Sequence, residues 1–247
     1  MSALEPTKNI VRPADEGIYL NENRYREPKE VFKRIADVLR AHIGNGGGRS
    51  ILDVGCATGE FLYYLQSQFP DATLFGMDVS NSMIEAARAQ VPKCDFKVGS
   101  VLKAEDFATG SMDVLTCSGV LCIFDDQAVP LNNLVRCLRP GGHLVIVTLV
   151  NNEPVDVIMR YRDVRDGEPA WEAGWNFFSK KTFENILAKM NCKLQWNWTD
   201  FRMPFALPKR EDPMRTWTIS TAVDPHQVVN GAGQLIDDKI LYIHKAA

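Results

Sequence analysis

The stretch Ile51-Leu52-Asp53-Val54-Gly55-Cys56-Ala57-Thr58-Gly59-Glu60-Phe61-Leu62 constrains the fold more than any other part of the 247-residue chain. Ser50 to Val54 is short, apolar and β-branched, as a strand covered on both faces must be. Two glycines then bracket a turn of small residues, and Glu60 to Leu65 takes up a helical period. Glycine at these positions admits a left-handed backbone and lets the chain pass close to a bound molecule. Strand, glycine turn and helix together point to an α/β fold. Asp53 is the anomaly. A carboxylate near the end of an apolar strand is costly to bury unless something pairs with it, and a cationic ligand over the turn would supply that partner.

The glycine spacing narrows the ligand. A dinucleotide turn needs G-x-G-x-x-G, which Gly55 and Gly59 do not provide, so a nicotinamide oxidoreductase is disfavoured. A phosphate loop needs Lys after its last glycine, and Glu60 stands there. The stretch resembles motif I of the class I S-adenosylmethionine-dependent methyltransferases, D-x-G-x-G/T-G. Further pieces follow in order. Asp78 closes the next strand (Thr73 to Met77), and Leu138-Arg139-Pro140-Gly141-Gly142-His143-Leu144 resembles the family's L-x-P-G-G-x-L turn into strand five. The resemblance spans roughly residues 25–200. It implies an α/β, Rossmann-like, doubly wound sheet of seven strands, mostly parallel with an antiparallel last strand, with helices on both faces and insertions over the carboxyl edge. It also implies one domain over 1–247: a cap-helix region at 1–48, a cofactor core at 49–150, and acceptor-covering insertions at 150–178 and 201–236.

The same resemblance implies S-adenosylmethionine as cofactor and S-adenosylhomocysteine as its product. The residues it assigns to them are Tyr25, Asp53, Gly55, Cys56, Ala57, Thr58, Gly59, Asp78, Val79, Met83, Ser100, Val101, Ser118 and Gly119. Asp78 is suited to accept from both ribose hydroxyls, the role of an acid after the second strand in dinucleotide folds. Met83 and Val101 would meet the adenine. Ser100 stands where many members carry an acid, and its hydroxyl is a weaker, neutral acceptor. Tyr25 or Tyr19 could close over the methionine end, with simple packing the better reading for Tyr19. Residues 1–17, with Pro6 and Pro13, read as loose. Val31, Phe32, Ile35, Val38 and Leu39 recur at helical spacing behind Pro28. Ser80 and Ser179 read as N-caps, and a helix is expected from Asp125-Asp126 to Leu138.

A net charge of −3 leaves no general basic footprint for nucleic acid. The six cysteines form no C-x-x-C pair and sit mostly in apolar runs, which fits a reducing, cytoplasmic setting. No apolar run approaches about 18 residues, so no membrane span is expected.

Topology selects the acceptor side, because ligands of open α/β sheets bind outside the carboxyl ends of the strands. Both insertions leave from that edge, which places an acceptor pocket among Tyr161, Arg162, Trp171, Trp175, Phe178, Arg202 and Trp217. Ser118-Gly119-Val120 replaces the N/D-P-P-Y/F of amino-methylating members, and neither Cys117 nor Cys122 follows the proline that carbon methylation of pyrimidines wants. An alcohol acceptor needs a base; a carboxylate needs only a cationic clamp. Among the histidines only His226 lies in an insertion on the right edge, with His42, His143 and His244 elsewhere and Asp156 and Glu172 as weaker candidates. No catalytic metal is expected, since Cys117-Ser118 replaces the acid such sites carry and Asn151-Asn152 matches only in part. Arg202, Lys209, Arg210 and Arg215 hint at an anionic acceptor, though Glu211 and Asp212 among them favour a solvated face. The expected function is methyl transfer to an oxygen of a small molecule. The alternatives are a same-fold enzyme acting on protein or RNA, and a cofactor-binding module without transfer activity. A monomer and a homodimer fit the sequence equally.

Overall fold

The computed structural model describes residues 13–165, 167 and 170–247; the loose reading of the first twelve residues lies outside them. Helix α1 (Pro13–Asn21) precedes α2 (Glu30–Ile43). The core then runs β1 (Ser50–Val54), α3 (Glu60–Gln68), β2 (Thr73–Asp78), α4 (Asn81–Gln90), β3 (Asp95–Val98), β4 (Met112–Ser118), α5 (Ala128–Cys137), β5 (Leu138–Asn151), α6 (Lys180–Ala188), β6 (Leu194–Asp200) and β7 (Asp238–Lys245). The strand order is β3-β2-β1-β4-β5-β7-β6. Neighbours are parallel except at β7, which runs antiparallel to both β5 and β6. This is the doubly wound sheet that the resemblance implies, with its reversed last strand.

Successive side chains of a strand point to opposite faces, and here both faces are covered. Ile51, Val145 and Ile240 pack with Ile35 of α2, Leu62 of α3 and Ile84 of α4. Their neighbours Leu52, Ile146 and Leu241 pack on the other face with Leu131 of α5 and Leu187 of α6. All are buried, which is why the strands read as unbroken apolar runs and not as alternating ones. Truncating Leu115, wholly buried in β4, to Ala would cost about 2–5 kcal/mol.

The expected caps form. Ser80 Oγ accepts from Met83 N at 3.3 Å and Ser179 Oγ from Thr182 N at 3.1 Å. Three expectations change. Pro13 to Gly17 belongs to α1 and is not loose. The helix expected from Asp125 starts at Ala128, because Asp125 turns instead to Arg160 and to Asn176 Nδ2. The Pro140-Gly141-Gly142 turn lies inside β5, which starts at Leu138. The insertions carry structure of their own: an antiparallel ribbon (Arg160–Tyr161 with Glu172–Ala173) and a three-stranded sheet (Trp217–Ile219, Gln227–Val229, Leu235–Ile236).

Candidate functional site

The glycine turn is fastened to the end of β2. Gly55 N and Cys56 N donate to the Met77 carbonyl at 2.7 and 3.0 Å, and Gly59 N donates to the Cys56 carbonyl at 2.9 Å. Ala57 N donates to Asp78 Oδ2 at 2.9 Å. With these amides spent inside the protein, the turn is a poor cradle for phosphate, which needs N–H groups aimed outward. Gly55 has φ +78°, and a Cβ there would stand 2.2 Å from Val120 Cγ2. Both the backbone and the space therefore require glycine.

What the turn presents instead is negative charge. Asp53 is 4% exposed and its Oδ1 accepts from Thr116 Oγ1 at 2.6 Å. Burial pushes its carboxyl up to about 7, against the Thr116 bond and with Asp78 adding to the rise. A cationic ligand would reverse that shift by favouring the ionised form. Asp78 Oδ1 accepts from Ser80 N at 3.0 Å, so the turn and the start of α4 together orient this carboxylate. A ligand with a sulfonium and an ammonium at one end and a diol further along, without phosphate, matches this donor and acceptor set.

A cavity of about 1060 Å³ opens over these strand ends. Asp53, Gly55, Cys56, Ala57, Asp78, Val79, Met83, Ser100, Val101, Ser118 and Gly119 all line it. Tyr25, Thr58 and Gly59 are not among the described lining residues. Tyr25 Oη donates to the Thr58 carbonyl at 2.7 Å and its ring meets Tyr63 edge-on at 5.3 Å, so it braces the turn from behind. Tyr19 lines the cavity in its place, with the Lys29 ammonium 4.9 Å from its ring centre. Sequence reasoning also passed over Glu22. It pairs with Lys29 at 3.1 Å, Arg24 at 3.2 Å and Arg215 of the second insertion at 2.7 Å. Burial would raise its carboxyl, but Lys29, Arg215 and Arg24 together outweigh this and hold it down at about 2. Three cations and two acids crowded just past a helix end, Glu22 to Lys29, were the signal available.

The expected acceptor residues divide. Tyr161 and Trp175 line the cavity, and Tyr161 Oη donates to Glu172 Oε2 at 3.2 Å. Phe178 is buried in the core beneath α6. Trp171 is 60% exposed with the Arg162 guanidinium 5.1 Å from its ring, and Lys209 lies 4.9 Å from the ring of Trp217. Arg202 turns to Asp224 at 3.5 Å. Of the four cations that hinted at an anionic acceptor, only Arg215 lines the cavity, and it is on Glu22. His226 is likewise absent from the described lining: its Nδ1 lies 3.1 Å from the Met203 carbonyl. Asp156 caps α6, accepting from Ser179 N at 2.7 Å and from Thr182 Oγ1. Sequence reasoning missed two cavity walls: an apolar one from Phe124, Phe201, Phe205, Leu207 and Met214, and the carboxyl of Asp238.

The other histidines gather at the opposite edge of the sheet. His143 Nδ1 is 2.8 Å from Tyr242 Oη, and His42 stacks on the Tyr242 ring at 3.7 Å. Among the described residues no disulfide joins the cysteines, no group of three or more potential ligands is placed to hold a metal, and no helix is long and apolar enough to cross a membrane.

Residues 20–195 match the family model of a methyltransferase domain. A trans-aconitate 2-methyltransferase of Deinococcus radiodurans is 32% identical over 134 residues, 54% of this chain and 50% of that protein. A second protein of that name, from an Acidovorax species, is 26% identical over 214 residues, 81% of this chain and 78% of the relative. The chain thus spans half the length of the first relative and about three quarters of the second. Among solved structures, an S-adenosylmethionine-dependent methyltransferase from Mesorhizobium loti superposes with a TM-score of 0.56 at 18% identity, covering 86% of this chain and 99% of the other.

Proposed function

The chain belongs to the S-adenosylmethionine-dependent methyltransferases, and we propose that it moves the methyl group of that cofactor onto an oxygen of a small molecule. The observation that carries this reading is one continuous cavity of about 1060 Å³, lined both by the glycine turn and by residues of the two insertions. When bound, the cofactor supplies a methyl group already activated by positive sulfur. The chain's own residues then have three tasks. Asp53 and Asp78, held by Thr116 and by Ala57 N and Ser80 N, bind the cationic and hydroxylated parts. Met83, Ser100 and Val101 bound the far end, and Ser118 and Gly119 at the tip of β4 border the reacting centre. The insertions at 150–178 and 201–236 exclude water and align the acceptor, which is where an in-line displacement gains most of its rate. The relatives named for trans-aconitate support a small-molecule acceptor.

Calorimetric titration with S-adenosylmethionine and S-adenosylhomocysteine, followed by a search for S-adenosylhomocysteine release against small hydroxylated and carboxylated acceptors, tests the proposal. Binding of both sulfur compounds with turnover of at least one acceptor supports it. Failure to bind either refutes it.

A further inference from the structure

We propose that the acceptor is an apolar small molecule presenting a hydroxyl, not a polycarboxylate, and that Asp238 receives the hydroxyl proton. The inference rests on the methyl-transfer reading above and names the substrate class of that same cavity.

The first observation is charge. Among the described lining residues, ten side chains are carboxyls and six are cations. The cations are already engaged: Lys29, Arg24 and Arg215 on Glu22, Arg165 on Asp163 and Lys33 on Glu30, while Arg26 is exposed. Walls of this sign attract a sulfonium and repel a molecule with several carboxylates. The second is the apolar roof, where Phe124, Trp175, Phe201, Phe205, Leu207 and Met214 face the cavity. Such walls gain affinity from apolar area and lose it when charged groups are buried against them.

Asp238 is set apart from the other carboxyls of this half. Glu172 accepts from Tyr161, Asp163 is held by Arg165, and Asp212 accepts from Met214 N at 2.9 Å. The Asp238 side chain accepts from no described residue. Burial and the neighbouring Asp237 push it up to about 6, with Lys239 opposing, and Lys239 itself is spent on Asp200 and Asp237. That is a useful range for a base working near neutral pH. Its position follows from register. Asp238 pairs with Leu149, Ile240 with Val147 and Val147 with Ser118, so Asp238 stands two strands across and two residues further out than the tip of β4. At strand spacings this is roughly 12 Å between Cα atoms, a gap that a ring-sized acceptor bridges once both side chains are counted. In the step, the acceptor oxygen forms its bond to the methyl carbon while the carbon–sulfur bond breaks and its electron pair returns to sulfur. The hydroxyl proton passes to Asp238 and from there to solvent.

The test has two arms. The protein holding S-adenosylhomocysteine is titrated with para-alkylphenols of increasing length and with trans-aconitate. Each added methylene is expected to tighten binding about fourfold, with trans-aconitate weaker than the longer phenols; the reverse preference overturns the acceptor class. In the second arm, S-adenosylhomocysteine formation is followed for a series of phenols of graded acidity. Asp238→Asn is expected to lower kcat/KM about 10²- to 10⁴-fold, most for the least acidic phenols, and to leave S-adenosylhomocysteine affinity unchanged, with Asp238→Glu recovering part of the rate. An equal loss across the series, or no loss, overturns the role of Asp238. Unaltered protein that binds S-adenosylhomocysteine but methylates nothing overturns the methyl-transfer reading itself.

Discussion

Replacing Asp53 by Asn separates what this residue costs the fold from what it does for the ligand. Asn keeps the shape, and its oxygen can still accept from Thr116 Oγ1, now 2.6 Å from Oδ1, but it cannot ionise. In the fold, burial holds the Asp53 carboxyl up at about 7, against an ordinary value of 3.8. Between those limits the folded state keeps a proton that the unfolded chain has lost. The parent's stability therefore falls as pH rises through that window, and the loss is complete above the folded value. At about 1.4 kcal/mol per unit, the parent should lose about 2.5 kcal/mol relative to the Asn variant between about pH 5 and about pH 8. Urea unfolding of both proteins without cofactor, across this range, measures the difference; contributions from other titrating groups largely cancel in it. A difference that does not change with pH would refute the reasoning, since it would mean that Asp53 titrates like an exposed acid. Calorimetry on the same variant should show S-adenosylmethionine binding weakened about tenfold to a hundredfold, the worth of one charge-assisted contact. Stability gained and affinity lost through one atom is the signature of a charge kept for the ligand.

Three further outcomes are expected. Asp78→Ala removes the acceptor of Ala57 N and Ser80 N together with a cavity carboxylate, and should weaken S-adenosylmethionine binding by about a hundredfold or more; unchanged affinity in calorimetry would sink the diol assignment. Gly55→Ala forces a side chain into a backbone with φ +78° and to 2.2 Å from Val120 Cγ2, and should cost at least about 2 kcal/mol in urea unfolding. Burial, with His244 adding to it, holds the His143 imidazole down at about 4, so the unfolded chain takes up a proton first and this part of the stability is lost as pH falls from about 6.5 toward 4. His143→Gln should flatten that acid limb, and an unchanged limb would show that His143 does not drive it.

The sheet and the glycine-turn end of the cavity are legible in the sequence because their signals are local. An apolar run, a glycine that must be left-handed and an acid in an apolar strand each declare themselves within a few residues. The acceptor end is not legible in this way. Trp171, Trp217 and Trp175 look alike in sequence, yet of the three only Trp175 faces inward, because the direction of a side chain in an insertion is set by packing far along the chain. Tyr19 stands at the cavity wall and Tyr25 behind it for the same reason: the Thr58 carbonyl that holds Tyr25 lies 33 residues away. Asp238 is different. It stands at the mouth of the apolar strand Ile240 to Ile243, as Asp53 stands at the end of its own, and the argument that singles out one applies to the other.

The second insertion has a consequence for how such a chain can change. Its strands, Trp217–Ile219, Gln227–Val229 and Leu235–Ile236, bond to one another and lend nothing to the central sheet. Residues 201–214, which supply much of the apolar wall, likewise lie past residue 195, where the match to the family model ends. Substitutions in this region leave the ladder beneath intact and are judged mainly by what the cavity then admits. Selection can therefore hold one end of the molecule constant while the other drifts toward new chemistry, and two descendants of the same ancestor can share every contact to the donor and none to the acceptor.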